Sequence, residues 1–309
     1  GNRYSGEYRA SYDLDYYRGS VVGDKTKLRL FYTNEDTWLG QFEYEMPIGF
    51  NGLRAAVGYS MLDYCLGGSF ANNGFFGTAK TNYFQLSYPF LRSQRSNLIL
   101  QARHEKKDFN DYRTGIKDTK EVGAYPLTLQ FDHRDSLLGG GVTYGSVGHT
   151  FGKVSGQNVT NSGDYEKQSL QVMRIQRVSD DWSVYGAWNW QTASESLDGS
   201  EQLSLGGPGA VRAYPQGEGS ASKAWTGQLE FRYDLAQYNP YVFFDYGKST
   251  TMGDDEIGRD LSGWGLGLRF AQEDLRIDLN ASWRDKGGDP QSDTRSGDPQ
   301  VWLQTSYSY

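Results

Sequence analysis

Few residues in this sequence have the type and spacing that chemistry requires. The histidines His104, His133 and His149 fall on or near different predicted strands and share no metal-ligand spacing, and Cys65 is the only cysteine. No serine or threonine stands out as a nucleophile aligned with a histidine. The stretch LGGPG at 205–209 lacks the lysine and the helix of a phosphate-binding loop. We therefore predict no metal site, no cofactor and no enzymatic activity.

One stretch differs from the chain around it: LSLGGPGAVRAYPQGEGSASKAW, residues 203–225. It leaves an alternating strand at Gly206-Gly207 and continues through a long run of turn-forming residues. Its centre places Arg212 between Val211 and Ala213-Tyr214. The simplest interpretation is a solvated surface loop, in which Arg212 pairs with Glu218 or with nothing. The alternative is a loop that packs against another surface, and the surrounding elements must decide between them.

The rest of the chain has the period of β strands. In GEYRASYDLDY, residues 6–16, apolar or aromatic residues alternate strictly with polar ones, and WTGQLEFRY and DLRIDLNASWR repeat the pattern. With 23 Tyr, 15 Phe, 8 Trp and 39 Gly in 309 residues, the composition favours short strands and glycine turns. We predict sixteen strands, beginning near residues 5, 25, 37, 52, 77, 96, 121, 141, 167, 181, 200, 224, 240, 263, 274 and 299. Long connections are expected at 62–76 and 106–119.

Several features favour a membrane barrel over a secreted sandwich or propeller. Aromatic residues recur near strand ends, as in the two interfacial girdles of a transmembrane barrel. The sequence VWLQTSYSY places Val301, Leu303 and Tyr309 on one face of a final strand, and a terminal aromatic residue there is typical of bacterial outer-membrane barrels. A net charge of −7 argues against nucleic acid as a partner. We predict an all-β transmembrane antiparallel barrel.

Within this predicted barrel, LGGPGAVRAYPQGEGS resembles the loop of the two-partner secretion transporters (TpsB family), whose core reads Val-Arg-Gly-Tyr or Val-Arg-Gly-Phe. The corresponding residues are Val211, Arg212, Ala213 and Tyr214, with alanine where the family has glycine. A second family motif, Phe-x-Asp-x-Gly, matches the residues Phe243, Asp245 and Gly247.

The resemblance implies that the loop folds back into the lumen, where Arg212 pairs with Asp245 of the inner wall. A guanidinium in a confined lumen is costly unless it is paired, and a carboxylate suits its planar fork. Strand alternation agrees, because it leaves Val242 and Phe244 for lipid. Glycines at 206, 207 and 209 (Gly206, Gly207, Gly209) permit the sharp turns and close approach that an inward loop needs.

The resemblance also implies a function. Residues 1–309 correspond to the outer-membrane barrel domain of such a transporter, without the family's plug helix and periplasmic POTRA domains. A pore of this family exports one large cognate exoprotein from the periplasm to the cell surface without ATP. The expected partners are this exoprotein, outer-membrane lipid and lipopolysaccharide, and the expected state is a monomer. The alternatives are a barrel that assembles or inserts membrane proteins, which shares the loop motif, and a passive porin.

Overall fold

A computed structural model describes residues 5–17, 19–65, 76–113, 116–157, 161–252, 258–293 and 297–309. In these ranges the chain forms fifteen β strands and two short 3-10 turns, Leu137–Gly139 and Gly199–Glu201. Neither helical turn of the described ranges has the length or apolarity to cross a membrane.

The strands are named β1 to β15 in chain order. Their bounds are Arg9–Tyr17, Lys25–Thr33, Trp38–Pro47, Arg54–Cys65, Phe76–Arg92, Ser96–Arg113, Ile116–Asp135, Gly141–Gly156, Gly163–Arg177, Trp182–Ala193, Lys223–Tyr233, Tyr238–Thr250, Asp260–Gln272, Leu275–Lys286 and Gln300–Tyr307.

The fifteen strands lie in one sheet whose order follows the sequence from β1 to β15. The pairs whose register is defined, such as β1 with β2 and β14 with β15, are antiparallel. The chain divides into two compact units. One comprises Gly1–Arg92, Leu98–Gln130 and Gly148–Lys167, and the other comprises Ser93–Asn97, Phe131–Val147 and Gln168–Tyr309.

In the second unit the two faces of the sheet differ as the alternation predicts. On β12, Val242 and Phe244 are 49% and 45% exposed, whereas Tyr241, Phe243 and Asp245 are almost fully buried. Successive side chains of a strand point to opposite faces, so one face of β12 is apolar and open while the other is covered. The covered face is where the loop of residues 194–222 packs.

Glycines let the aromatic rings of the covered face lie flat across neighbouring strands. Tyr241 is the register partner of Gly267, and Phe243 is the partner of Gly265. A Cβ atom at Gly267 would lie 2.0 Å from Cζ of Tyr241, and one at Gly265 would lie 2.3 Å from Cζ of Phe243. These positions therefore exclude any side chain larger than hydrogen while the rings keep their places.

The same arrangement occurs in the first unit. The ring of Tyr83 lies over Gly58, its register partner, and its hydroxyl donates to Glu43 one strand further on. Lys27 Nζ lies 2.6 Å from Oε1 of Glu43, and the guanidinium carbon of Arg103 lies 4.2 Å from the Tyr83 ring centre. This face is therefore lined by charges of both signs.

Two details of the predicted strand pattern are wrong. Residues near 200 form a 3-10 turn instead of the eleventh strand, because Asp198 caps Ser200 N through its side chain and the chain then leaves the sheet. Most of the expected connection at 106–119 is strand, since β6 continues to Arg113 and β7 begins at Ile116. The segment is rich in consecutive charged residues, such as Lys106, Lys107 and Asp108, and an interpretation based on hydrophobicity takes it for a loop.

Candidate functional site

The loop between β10 and β11 is folded on itself as well as on the sheet. Leu203 and Ala221 exchange two backbone hydrogen bonds of 3.0 Å, which close the base of its inner part. Above them, Leu205 N donates to the carbonyl of Glu218 at 3.0 Å. The loop of residues 203–222 is thus a compact hairpin-like unit and not a solvated surface loop.

The centre of the loop is the most buried apolar cluster of the second unit. Val211, Ala213 and Tyr214 are 0% exposed. They pack with Leu205, Ala221, Ala224 and Leu261 in one cluster. Burial of this apolar surface explains why a glycine-rich connection carries a Val-Arg-Ala-Tyr core.

Glycine is needed at particular points of the loop and of the facing wall. Gly207 has φ +118°, and a Cβ atom at Gly206 would lie 2.3 Å from the carbonyl oxygen of Pro215. On the wall, a Cβ at Gly247 would approach Val211 Cγ2 to 3.1 Å. No atom lies within 4 Å of a Cβ built at Gly209, so that glycine is not required by close contact.

Ala213 fits where the family motif has glycine. Ala213 does not have a positive φ, so alanine is not strained at this position. Its methyl group fills the space over Gly263 of β13, where an added Cβ would lie 2.4 Å from Ala213 Cβ. Glycine at position 263 of β13 thus leaves room for the methyl group of Ala213.

Arg212 is bound to Asp245 by three hydrogen bonds. Its Nε donates to Oδ2 at 2.9 Å, its Nη2 donates to Oδ1 at 2.8 Å, and its backbone N donates to Oδ2 at 3.0 Å. Arg212 is 3% exposed and Asp245 is 0% exposed. The carbon of the guanidinium lies 3.5 Å from the ring centre of Phe243. Burial acts to lower the pKa of Arg212, but its carboxylate partners outweigh burial and raise the pKa above the ordinary value.

A second carboxylate, Glu230 of β11, completes the coordination of Arg212. Arg212 Nη1 donates to Glu230 Oε1 at 2.6 Å. Glu230 is 2% exposed and also receives Arg232 at 2.7 Å and Arg269 at 3.1 Å. Arg269 continues to Asp278 at 2.8 Å. The arginine thus belongs to a network of three cations and three carboxylates, in which each buried charge has an opposite partner.

The loop is also bound to the strands at the end of the sheet. The Tyr214 hydroxyl donates to the carbonyls of Lys286 at 2.9 Å and Gly288 at 3.0 Å, and burial raises its pKa. Trp302 of β15 donates from Nε1 to the carbonyl of Arg212 at 2.8 Å. Contacts of the loop therefore extend from β11 to β15.

The structure brings together the residues of both motifs and adds three that the sequence analysis did not select. Arg212 contacts Asp245 and Phe243, and Val211 lies against Gly247. Glu218 pairs with Arg259 at 3.1 Å, so the surface-loop interpretation that paired it with Arg212 is wrong. Glu230 and Trp302 were missed, and Glu218 was considered only as a partner of Arg212. In the sequence, Glu230 was marked only by its place on the polar face of WTGQLEFRY, and Gln228 and Arg232 share that face.

The site contains no arrangement for metal chemistry within the ranges that the structure describes. No group of three or more His, Cys, Asp or Glu residues there could hold a metal ion. The carboxylates of the network are instead occupied by arginines. The arrangement can hold a loop in place through charge and hydrogen bonding.

The fold and this loop define a class of protein in which one long antiparallel sheet carries a packed loop on its covered face, as in outer-membrane β-barrels. The model of one family, "Haemolysin secretion/activation protein ShlB/FhaC/HecB", matches residues 25–270. The chain belongs to this family, which is that of the two-partner secretion transporters.

Relatives and solved structures agree with this assignment. The Heme/hemopexin transporter protein HuxB of Haemophilus influenzae is 26% identical over an alignment of 263 residues, and the match covers 80% of this chain and 46% of HuxB. The chain thus spans about half the length of the curated relatives it matches. CdiB from Escherichia coli has a TM-score of 0.82 at 16% identity, over 100% of this chain and 61% of that one. CdiB from Acinetobacter baumannii has a TM-score of 0.77 at 18% identity, over 100% and 58%.

Proposed function

We propose that the chain forms the pore of an outer-membrane transporter that exports one cognate exoprotein from the periplasm to the cell surface. Family membership supports an export role, and the fold is that of CdiB. The exposed apolar residues of strands such as β12 suit a lipid-facing surface. The partners we propose are the exoprotein, outer-membrane lipid and lipopolysaccharide, and the proposed state is a monomer.

The observation that carries the proposal is the binding of Arg212 between Asp245 and Glu230. A buried arginine on a long connection is retained only where paired carboxylates compensate its desolvation. Here both carboxylates belong to the covered face of the sheet, which faces the lumen in a barrel. The loop therefore lies inside the proposed pore.

The covered face also suits a polypeptide in transit. Glu43 and Lys27 in one unit, and Glu230, Arg232 and Arg269 in the other, place both signs of charge on it. An extended chain meets exchangeable hydrogen bonds on such a wall without one strongly attractive patch. We propose that export needs no catalytic step and no nucleotide, and that folding of the exoprotein outside the cell makes it unidirectional.

The test is secretion by the whole protein that contains this chain. Deleting its coding sequence in the source bacterium should remove one large protein from the culture supernatant, as measured by mass spectrometry. Wild-type protein and the variant Arg276→Ala, at an exposed position of β14, should restore this protein. The variant Arg212→Ala should restore little of it.

The alternative roles give different results in the same experiment. An assembly or insertion barrel would show loss of several integral proteins from the outer membrane of the deletion strain while secretion continued. A passive porin would leave both sets of proteins unchanged and alter only the uptake of small solutes. Either result would refute the proposed function.

A further inference from the structure

The buried carboxylate of Glu218 has no role in the arginine network, although it lies on the same loop. Glu218 is 1% exposed. Its oxygens accept from the backbone N of Gln291 at 3.0 Å and of Ser292 at 2.8 Å, and from the Ser292 hydroxyl at 2.6 Å. Arg259 Nη2 adds an ion pair at 3.1 Å. One buried loop carboxylate is therefore bound by the connection between β14 and β15 and by Arg259, the residue before β13.

Other contacts fold the same connection over the loop. The Tyr214 hydroxyl reaches the carbonyl of Gly288, and Arg259 Nη2 donates to the carbonyl of Gly287 at 3.1 Å. Gly287 has φ +116°, and a Cβ added there would lie 2.7 Å from the Tyr214 hydroxyl. We define residues 287–293 as the latch.

The latch and the arginine network hold the loop at different places. Arg212 binds β11 and β12, whereas Glu218, six positions further on, binds the latch. A loop that loses only the Arg212 contacts still has the Glu218 carboxylate bound by two backbone N–H groups and a guanidinium. Charge-assisted hydrogen bonds of this kind are the strong ones.

We propose that the latch is a second lock on the loop, separable from the arginine network, and that the loop leaves its resting position only when Glu218 is released. In this lock the Glu218 carboxylate is the acceptor, and the N–H groups of Gln291 and Ser292 together with Arg259 bind it. The first part of the proposal concerns contacts within the chain. The second part, the effect on the pore, rests on the proposed function.

Hydrogen exchange on the whole protein in detergent tests the first part. In Glu218→Ala the amides of Gln291 and Ser292 should exchange at least about tenfold faster than in wild type, because each loses its acceptor. Glu195→Gln, at an exposed position of the loop between β10 and β11, should leave these rates unchanged. Ser292→Ala removes one donor only and should give a smaller increase in the exchange rate of the Gln291 amide. It also keeps the test valid if Glu218→Ala fails to fold, as judged by heat-modifiable mobility on gels.

Planar-bilayer recording of the same variants tests the second part. The pore formed by Glu218→Ala should open severalfold more often than the pores formed by wild type and by Glu195→Gln. Unchanged exchange at Gln291 and Ser292 would show that Glu218 does not hold the latch. Faster exchange with unchanged openings would show that the latch does not restrain the loop, and it would overturn the proposed lock. Continued secretion in the deletion strain would refute the proposed function and would leave the exchange result standing.

Discussion

The backbone and the side chain of Arg212 converge on the single carboxylate of Asp245, with both N–H and guanidinium donors within 3.0 Å. This geometry fixes the position of the peptide as well as of the side chain. Lysine at this position has no planar fork and cannot reproduce it. The pair therefore orients the loop, in addition to neutralising a buried charge.

We expect Arg212→Ala and Asp245→Ala each to reduce secretion strongly, since each leaves one charge of a buried pair without its partner. The double variant should be little worse than either single one, because contacting residues are not additive. A double-mutant cycle on secreted protein measures this. Independent, additive losses would mean that the two residues do not act together.

Glu230→Gln should destabilise the protein although it preserves shape. Three arginines contact Glu230, and removal of its charge leaves them with only the carboxylates of Asp245 and Asp278 nearby. We expect a loss of about 3–5 kcal/mol in the free energy of unfolding, typical of a broken buried ion pair. Urea unfolding in lipid vesicles measures it, with Glu195→Gln as the exposed control. Equal stability of the two variants would contradict the network.

Gly263→Ala should push the loop away from β13, because the new methyl would lie 2.4 Å from Ala213 Cβ. Overpacking of this kind costs about 1–3 kcal/mol. Gly186→Ala on β10 is the matched control, since no atom lies within 4 Å of its added Cβ. Thermal unfolding compares the two. Ala213→Gly in the Gly263→Ala background should recover only part of the loss, because the new methyl would also lie 2.8 Å from the carbonyl oxygen of Trp283. No recovery at all would show that the loop does not contact Gly263.

Deletion of residues 207–222 should raise the conductance of the pore in planar bilayers. The deletion removes Arg212 and the apolar cluster from the covered face, which then lines open space. The same deletion should abolish secretion by the whole protein, because it removes the arginine and the latch contact together. Unchanged conductance would place the loop outside the pore.

Asp24, in the turn between β1 and β2, should make stability depend on pH in acid. Its carboxylate accepts from the backbone N of Ser20 at 2.6 Å, of Val21 at 2.9 Å and of Gly19 at 2.7 Å, and from the Tyr44 hydroxyl at 2.9 Å. These bonds, led by that from Ser20, lower the pKa of Asp24 from 3.8 to about 2.

A carboxyl group whose pKa is lower in the folded state stabilises that state above its unfolded pKa and loses this effect as pH falls through the folded value. Wild type should therefore be more stable than Asp24→Asn above pH 3.8, and the difference should disappear as pH falls through about 2. Unfolding midpoints across this range measure the difference. Asp180→Asn, at an exposed position of another short turn, is the control. A difference that does not change with pH would refute the role of the carboxylate.

The sequence predicted most of the fold because alternation is a local property. The strands of the second unit, such as β11 and β12, have apolar and polar faces that can be counted directly. The prediction of a strand near residue 200 failed because Asp198 forms a local hydrogen bond that competes with the sheet. An alternating pattern of only a few residues does not show that competition.

The candidate site was only partly predictable, since its missing members depend on register. Glu230 lies beside Arg212 because β11 and β12 pair with Glu230 opposite Phe243. Gln228 and Arg232 have the same alternation, and nothing local distinguishes them. Glu218 binds residues more than seventy positions away, and Trp302 binds Arg212 across ninety. Such contacts follow from the folded path of the chain, which composition and spacing do not reveal.

The hydrogen bond from Trp302 to the carbonyl of Arg212 has a consequence for the order of biogenesis. Arg212 precedes five of the fifteen strands of the described ranges, and its carbonyl oxygen accepts a hydrogen bond from Trp302 Nε1 on the last of them. During synthesis and membrane integration the loop therefore cannot make this contact until β15 has formed. Docking of the loop then marks the moment at which the terminal strand has arrived.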